Sequence, residues 1–308
     1  MNIKTLLHPQ ESGEKKHLTV AQKRKKTLKR RSYLRAGLQV LFFLLTPSLF
    51  TGAFSGVKYI FTQIGTSQPL EPVSFVKTLA ALCLLTMVFG RFFCGYVCAF
   101  GALGDGVQFV SKQIQKKLKK KLKKKLPAIP AGAKKWLSKL PYGILTAIVV
   151  LCAAGVYGSL SGYSPWDVFS MATSLKFRLS GYALGCILLA LILVGMAWEP
   201  RFFCRFLCPM GAVFRLLPIF PWAILRRDRS QCGKGCSACT KNCPVELSLG
   251  EGGNAADCIR CEQCRGICPR GNISTGKKWM DAHVAVVTIV KAVIYLAAAA
   301  LLGCLRFV

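Results

Sequence analysis

Histidine and acidic side chains are scarce in this chain of 308 residues. It has three His, and 12 Asp plus Glu against 43 Lys plus Arg, a formal net charge of +31. A haem b in a helical bundle takes axial ligands that are usually His. His8 and His17 lie in a basic N-terminal arm, and only His283 stands near an apolar run, so intrinsic bis-histidine haem is not expected. C-x-x-C-H is missing, which removes haem c. No G-x-G-x-x-G follows a strand-like run, so no nucleotide or intrinsic flavin site is evident. The Gly and Pro counts of 28 and 14 exclude collagen-like and low-complexity chains. What is abundant is apolar residues, 53% with a mean hydropathy of +0.41, together with sixteen cysteines.

The apolar residues come in blocks. Five are long enough for a membrane-crossing helix of about 20 residues: 36–56, 74–93, 141–160, 181–199 and 283–305. No small-residue cleavage site follows the first block and four more blocks come after it, so it reads as a retained anchor rather than a signal peptide. The basic residues fill the gaps. Residues 1–35 carry eleven Lys and Arg, 91–140 thirteen and 200–280 thirteen, whereas 57–73 and 161–180 carry one and two. Positive loops stay inside. The expected topology therefore puts the N-terminus and the 200–280 segment in the cytoplasm and the C-terminus outside, in the inner (cytoplasmic) membrane.

Basic residues between apolar blocks fit an anionic membrane face better than nucleic acid, whose binders spread their charge over a soluble fold. In KKLKKKLKKKL, eight lysines lie between Lys116 and Lys125, and Ile114, Leu118, Leu122 and Leu126 recur every fourth residue. A helix there would lay a narrow apolar stripe on anionic lipid; docking of an acidic redox partner is the other reading. Lys291, inside the last block, is expected to snorkel to the interface, with a quinone or inter-helix contact as the alternative. Trp166, in Ser164-Pro165-Trp166-Asp167, is expected to anchor at the outer interface.

A repeat lies in the membrane part. Arg91-Phe92-Phe93-Cys94 leads to Cys98 and Gly101-Ala102; 110 residues later Arg201-Phe202-Phe203-Cys204 leads to Cys208 and Gly211-Ala212. Each copy follows an outward-then-inward helix pair, which implies a pseudo-twofold axis along the membrane normal. Spaced i, i+4, each cysteine pair would share one face of a helix or helical turn. Cys94, Cys98, Cys204 and Cys208 could hold a third metal centre, act as redox dithiols, or be small packing residues in a repeated turn.

Eight further cysteines fall within 37 residues. Cys258, Cys261, Cys264 and Cys268-Pro269 follow C-x2-C-x2-C-x3-C-P, the bacterial ferredoxin run, whose fourth cysteine serves the other cluster. Upstream, Cys232, Cys236, Cys239 and Cys243-Pro244 carry one extra residue in the first gap, which leaves a three-iron cluster as an alternative for that quartet. One [4Fe–4S] cube is expected on Cys258, Cys261, Cys264 and Cys243, the second on Cys232, Cys236, Cys239 and Cys268. Zinc sites are usually two separated pairs, and disulfides are disfavoured on the cytoplasmic side. Cys83, Cys152, Cys186 and Cys304 lie in apolar blocks and read as packing residues.

Paired RFFC-x3-C motifs followed by two ferredoxin runs resemble the membrane polyferredoxins of the NapH and NosR type, from Leu38 onward. In that family each membrane motif usually ends Cys-Pro; Cys208-Pro209 conforms, while Cys98 is followed by Ala99. The resemblance implies electron transfer from quinol or a cytoplasmic donor toward an external acceptor, often through a flavoprotein or reductase partner. The expected fold is an all-α integral membrane protein with five crossing helices, in two pseudo-symmetric pairs plus one, and a small two-cluster ferredoxin-like α+β domain. Its parts are a basic arm (1–35), a first helix pair (36–106), a basic amphipathic segment (107–140), a second pair (141–225), the ferredoxin-like domain (226–280) and a last helix (281–308). Two rival functions are a copper reductase or oxidase-assembly factor of the polyferredoxin type, and a redox-sensing membrane protein, for which no soluble output domain is visible.

Overall fold

Proline punctuates the first apolar block, and the chain obeys it. The computed structural model describes residues 20–122, 129–173, 181–233, 235–247, 249 and 255–305. Helix α1 (Val20–Leu45) stops at Thr46-Pro47 and α2 (Ser48–Gly65) starts at once, bent by 63° from it. Proline disfavours helical geometry in the residue before it and has no N–H to donate. Residues 36–56, expected as one crossing, are therefore divided between two helices. The same helix α1 runs uninterrupted through residue 35, where the basic arm was expected to end.

The rest of the helical part repeats a pattern. Helix α3 (Ser74–Phe89) is followed by a π-helical turn (Phe93–Val97) and α4 (Ala99–Leu122). Of the lysine-rich stripe, residues 123–128 lie outside the described residues. Next come α5 (Ala131–Leu137), α6 (Leu140–Ala153) and α7 (Pro165–Thr173). Then α8 (Ala183–Trp198), the short α9 (Phe202–Phe206) and α10 (Pro209–Leu216) replay the order of α3, turn and α4. Among the described residues, two helical stretches are long and apolar enough to cross a membrane, Gly132–Ala153 and Val284–Leu301, or three if the bent α1–α2 pair counts as one. Helices α3 and α8 are apolar but have only sixteen residues each, about 24 Å of helix.

Aromatic rings fill the core between the repeats. Phe100 stacks on Phe203 at 4.4 Å and lies 3.9 Å from Phe169, and Phe50 meets both Phe100 and Phe203 edge-on. Other apolar side chains point outward, such as Leu191 and Val194 on α8 and Val290 and Val293 on Val284–Leu301, the composition of a lipid-facing belt. Trp166 packs on Phe54 at 5.4 Å, while Asp167 pairs with Lys58 at 3.3 Å. The Trp166 ring thus joins α7 to α2, where interface anchoring was expected. Lys291 is only 6% exposed, with its ammonium 5.6 and 5.7 Å from the Phe89 and Phe92 ring centres. Two ring faces hold this cation, the inter-helix contact that was the alternative for Lys291.

The cysteine-rich end is small. Strand β1 (Arg226–Arg227) pairs antiparallel with β2 (Ile273–Ser274), and between them lie α11 (Ala238–Lys241) and α12 (Gln263–Ile267). Helix α13 (Lys278–Ala282) leads into α14 (Val284–Leu301). Helix α1 reaches this end directly: a Cβ on Gly266 of α12 would stand 2.5 Å from Leu28.

Candidate metal centres

Pocket and sulfur contacts divide the eight ferredoxin-run cysteines into two groups of four. A cleft with about 360 Å³ of empty space, part of it open to solvent, is lined by Cys243, Cys258, Cys261 and Cys264 among apolar residues that include Leu225, Leu247 and Leu249. The fourth cysteine of the upstream run thus joins the first three of the downstream run. The other four gather around two polar side chains. The Arg227 guanidinium donates to Cys232 Sγ at 3.1 Å and Cys239 Sγ at 3.4 Å, and to the Cys236 carbonyl at 3.0 Å. The Asn272 amide donates to Cys232 Sγ at 3.2 Å, and its carbonyl accepts from Cys268 Sγ at 2.7 Å.

The two groups differ in their surroundings. Burial pushes the Cys258 thiol up to about 12, and also raises Cys243 and Cys264. Asn272 and Arg227 hold the Cys232 thiol below its ordinary value by hydrogen bonding. An apolar cleft disfavours thiolate charge unless a cationic core shares it, whereas Arg227 offers direct compensation. Among the described residues, no group of three or more His, Cys, Asp or Glu stands close enough to hold a single metal ion. Four thiols lining one cleft are the donor set that a [4Fe–4S] group takes.

The two membrane motifs adopt one local structure. Cys94 lies in the π-helical turn, and Cys98 follows it in extended geometry (φ −62°, ψ 122°) immediately before α4; Cys204 lies in α9, and Cys208 (φ −75°, ψ 111°) caps α10. In both, the N–H of the second cysteine donates five residues back, Cys98 to Phe93 and Cys208 to Phe203, at 2.8 and 2.9 Å. Each pair therefore brackets a helical turn. All four thiols are 6–7% exposed and lie within electrostatic reach of one another.

Arginine, which the sequence reading did not weigh, organises this region. Arg91 and Arg201 are each 1% exposed, and each approaches the cysteine three residues on, at 3.8 and 3.9 Å. They then cross between repeats. Arg201 Nη1 donates to the Cys94 carbonyl at 2.6 Å and fills the space beside Gly101, while Arg91 Nη2 lies beside Gly211. Asp105 receives Arg201 through Nε (2.8 Å) and Nη2 (2.5 Å), Arg35 (2.5 Å) and Gln39 (2.7 Å). Burial opposes ionisation of Asp105, but these guanidiniums prevail and hold its carboxyl below the usual value. The residue at the Asp105 position of the second repeat is Arg215. It pairs with Asp257 at 2.5 Å, which also stands 3.9 Å from Arg91.

These contacts seat the cysteine-rich end on the membrane motifs. Arg91 donates to the Ala256 carbonyl at 3.2 Å, and a Cβ on Gly95 would stand 2.2 Å from the Ile259 carbonyl. On the second repeat, Arg205 replaces Gly95 and pairs with Glu246 at 2.9 Å and Glu199 at 3.3 Å; Lys134 joins both carboxylates. The loop bearing Cys258 thus rests on both repeats, through Arg91 and Arg215, and the loop bearing Cys243 on the second through Arg205. The repeated Arg three residues before each first cysteine was the visible signal for Arg91 and Arg201; Asp105, Arg215 and Asp257 had none.

A protein-family profile described as a 4Fe-4S binding domain matches residues 73–125 and 180–226. Those segments contain Cys94, Cys98, Cys204 and Cys208 and none of the eight ferredoxin-run cysteines. The chain is 29% identical over 241 residues to MJ0749 of Methanocaldococcus jannaschii, covering 78% of this chain and 85% of that one. It is 31% identical over 213 residues to NirI of Paracoccus denitrificans, covering 65% and 29%. It is 26% identical over 217 residues to the regulatory protein NosR of Pseudomonas aeruginosa, covering 69% and 27%. The chain thus spans under a third of NirI and NosR. No solved structure is significantly similar to it. The repeated cysteine motifs, the iron–sulfur profile and the apolar helices agree: this is an iron–sulfur chain with apolar helices of membrane-crossing length, similar to NirI and NosR.

Proposed function

We propose that this chain relays single electrons at the cytoplasmic face of the inner membrane, between a soluble donor or quinol and a redox partner at or beyond the bilayer. The observation that carries this reading is the cleft where Cys243 of one run joins Cys258, Cys261 and Cys264 of the other. Those four residues would hold one [4Fe–4S] group, and Cys232, Cys236, Cys239 and Cys268 the second. Such a group supplies one-electron transfer at a potential set by hydrogen bonds, charge and exposure.

The chain's own residues divide the remaining work. Leu225, Leu247 and Leu249 give the first quartet an apolar lining. Arg227 and Asn272 orient the sulfurs of the second quartet, where a flavoprotein or reductase would approach. Phe109, Val110 and Ile114 are exposed on α4 among lysines, which suits a helix lying on anionic lipid. An acceptor outside the membrane would be about 30 Å from a cytoplasmic donor, so a partner or a further centre must shorten the path.

The test is anaerobic purification with iron and acid-labile sulfide counted per chain. Cys258→Ser with Cys261→Ser is expected to remove about four irons and one reduced-state EPR signal, while Cys232→Ser with Cys236→Ser removes another four. A wild-type chain with fewer than about four irons overturns the relay.

A further inference from the structure

The first turns of α14 and the segment from Arg260 to Arg265 frame a second pocket, with about 290 Å³ of empty space, part of it open to solvent. Arg260, Glu262, Arg265 and Lys291 line it, beside the Phe92 ring. Its three cations share two carboxylates. Glu262 stands 3.9 Å from Arg260 and 3.3 Å from Arg265, and Asp281 of α13 pairs with Arg265. Arg31 of α1, within electrostatic reach of Arg265, adds a fourth cation. Lys291 pairs with neither carboxylate; its ammonium meets the Phe89 and Phe92 rings.

The donors point the same way as the charge. Arg260 is 2% exposed, yet its Nε and Nη1 have no hydrogen-bond partner. A buried donor without an acceptor is unfavourable, and more so when it carries charge. The cysteine cleft is lined by Glu262 but by none of the three cations, so their N–H groups open on a different space.

Position selects the ligand. Lys277 and Lys278 precede Trp279, which is exposed on α13, and Val286, Ile289 and Val290 are exposed just beyond it on α14. Tryptophan beside lysine at the end of an apolar helix marks the level of lipid headgroups. Basic pockets between membrane helices take anionic headgroups, and guanidinium donors suit phosphate oxygens.

We propose that Arg260 and Lys291 bind the phosphate of an anionic phospholipid, in the leaflet on the side of the cysteine-rich end. One negative charge there offsets the cation that Glu262 and Asp281 leave over. A neutral quinone carbonyl would accept a hydrogen bond and leave that charge uncompensated. Glu262 is the carboxylate that opposes the anion, and Arg265 offsets it. The lipid would bridge α14 to the segment that carries Cys261 and Cys264, through groups none of which is a cysteine.

The full-length chain, purified in nonionic detergent, is examined by native mass spectrometry and phosphorus assay, with iron content, which tests the relay, read separately. About one retained phospholipid per chain is expected. After delipidation, phosphatidylglycerol, phosphatidylcholine and inorganic phosphate are titrated, with the thermal midpoint as the readout. Phosphatidylglycerol is expected to bind roughly tenfold more tightly than phosphatidylcholine. Lys291→Met is expected to abolish that preference and Lys291→Arg to keep it. Lys116→Gln with Lys117→Gln, exposed on α4, is expected to leave it unchanged. Equal binding of the two lipids overturns the proposal, as does a preference lost in the α4 variant but intact in Lys291→Met. Inorganic phosphate binding as tightly as phosphatidylglycerol, or a quinone retained in place of phospholipid, also overturns it. The wild-type titration decides even if Lys291→Met does not fold.

Discussion

Asp105 does at the residue scale what no single cysteine does: it fixes two cations from separate parts of the chain against one motif. Its carboxylate holds Arg201, which reaches Cys94, and Arg35 of α1, whose Nε also donates to the Gly95 carbonyl. Asp105→Asn removes the charge and strands two buried guanidiniums, so a loss of about 3 kcal/mol is expected, read as a lower thermal midpoint in detergent. The pH dependence has a definite sign. The folded carboxyl titrates below its unfolded value of about 3.9, so its contribution is complete above about pH 4 and is lost as pH falls through the folded value. The asparagine variant should lack that acid-limb loss. Arg227 makes a different prediction. It donates to the sulfurs of Cys232 and Cys239, and removing a cation disfavours the reduced, more negative state. Arg227→Gln should lower one midpoint potential, on the order of tens of millivolts, in an EPR-monitored redox titration.

At the scale of elements, the turn between Phe93 and Val97 is the seat on which the cysteine-rich end rests. A Cβ on Gly95 would collide with the backbone carbonyl of Ile259, which cannot rotate away as a flexible side chain would. Gly95→Ala is expected to cost about 1–3 kcal/mol and to raise hydrogen exchange across residues 255–261; unchanged exchange would show that the loop is held elsewhere. This seating also explains which parts were legible in the sequence. The ferredoxin-run spacing is local, so Cys258, Cys261 and Cys264 could be grouped from spacing alone, and Pro47 announced the break after Leu45 although hydropathy masked it. The Arg201–Asp105 and Arg91–Asp257 pairs join residues 96 and 166 positions apart, and no periodicity encodes such partners. Lys291 was legible only as a pair of alternatives for a related reason. Its snorkelling was inferred from distance to the helix end, whereas two rings on another segment decide where its charge goes.

For the whole molecule, the charge pattern and the repeat bear on one another. The basic segments 1–35, 91–140 and 200–280 contain every ferredoxin-run cysteine and both membrane motifs, so the expectation from the positive-inside rule is that all twelve share one side. Alkaline phosphatase fused after residue 68 should be active, and the same reporter fused after residue 230 inactive. The reverse pattern would place the cysteine-rich end outside and invert the direction of the relay. Helix α1, which reaches from the bent α1–α2 pair up to Gly266, ties the two ends into one body.

Helices α3 and α8 add a consequence of their own. Read as crossings, their sixteen residues fall roughly 6 Å short of a hydrocarbon layer of about 30 Å, and both end at a cysteine motif. A bilayer meets such a mismatch by thinning locally. The lipid around this protein would then form a shallow dimple whose floor is the motif region, and the insulating layer an electron has to cross would be thinnest there. Membrane composition, through acyl-chain length, would then act on the rate of transfer without touching a single ligand.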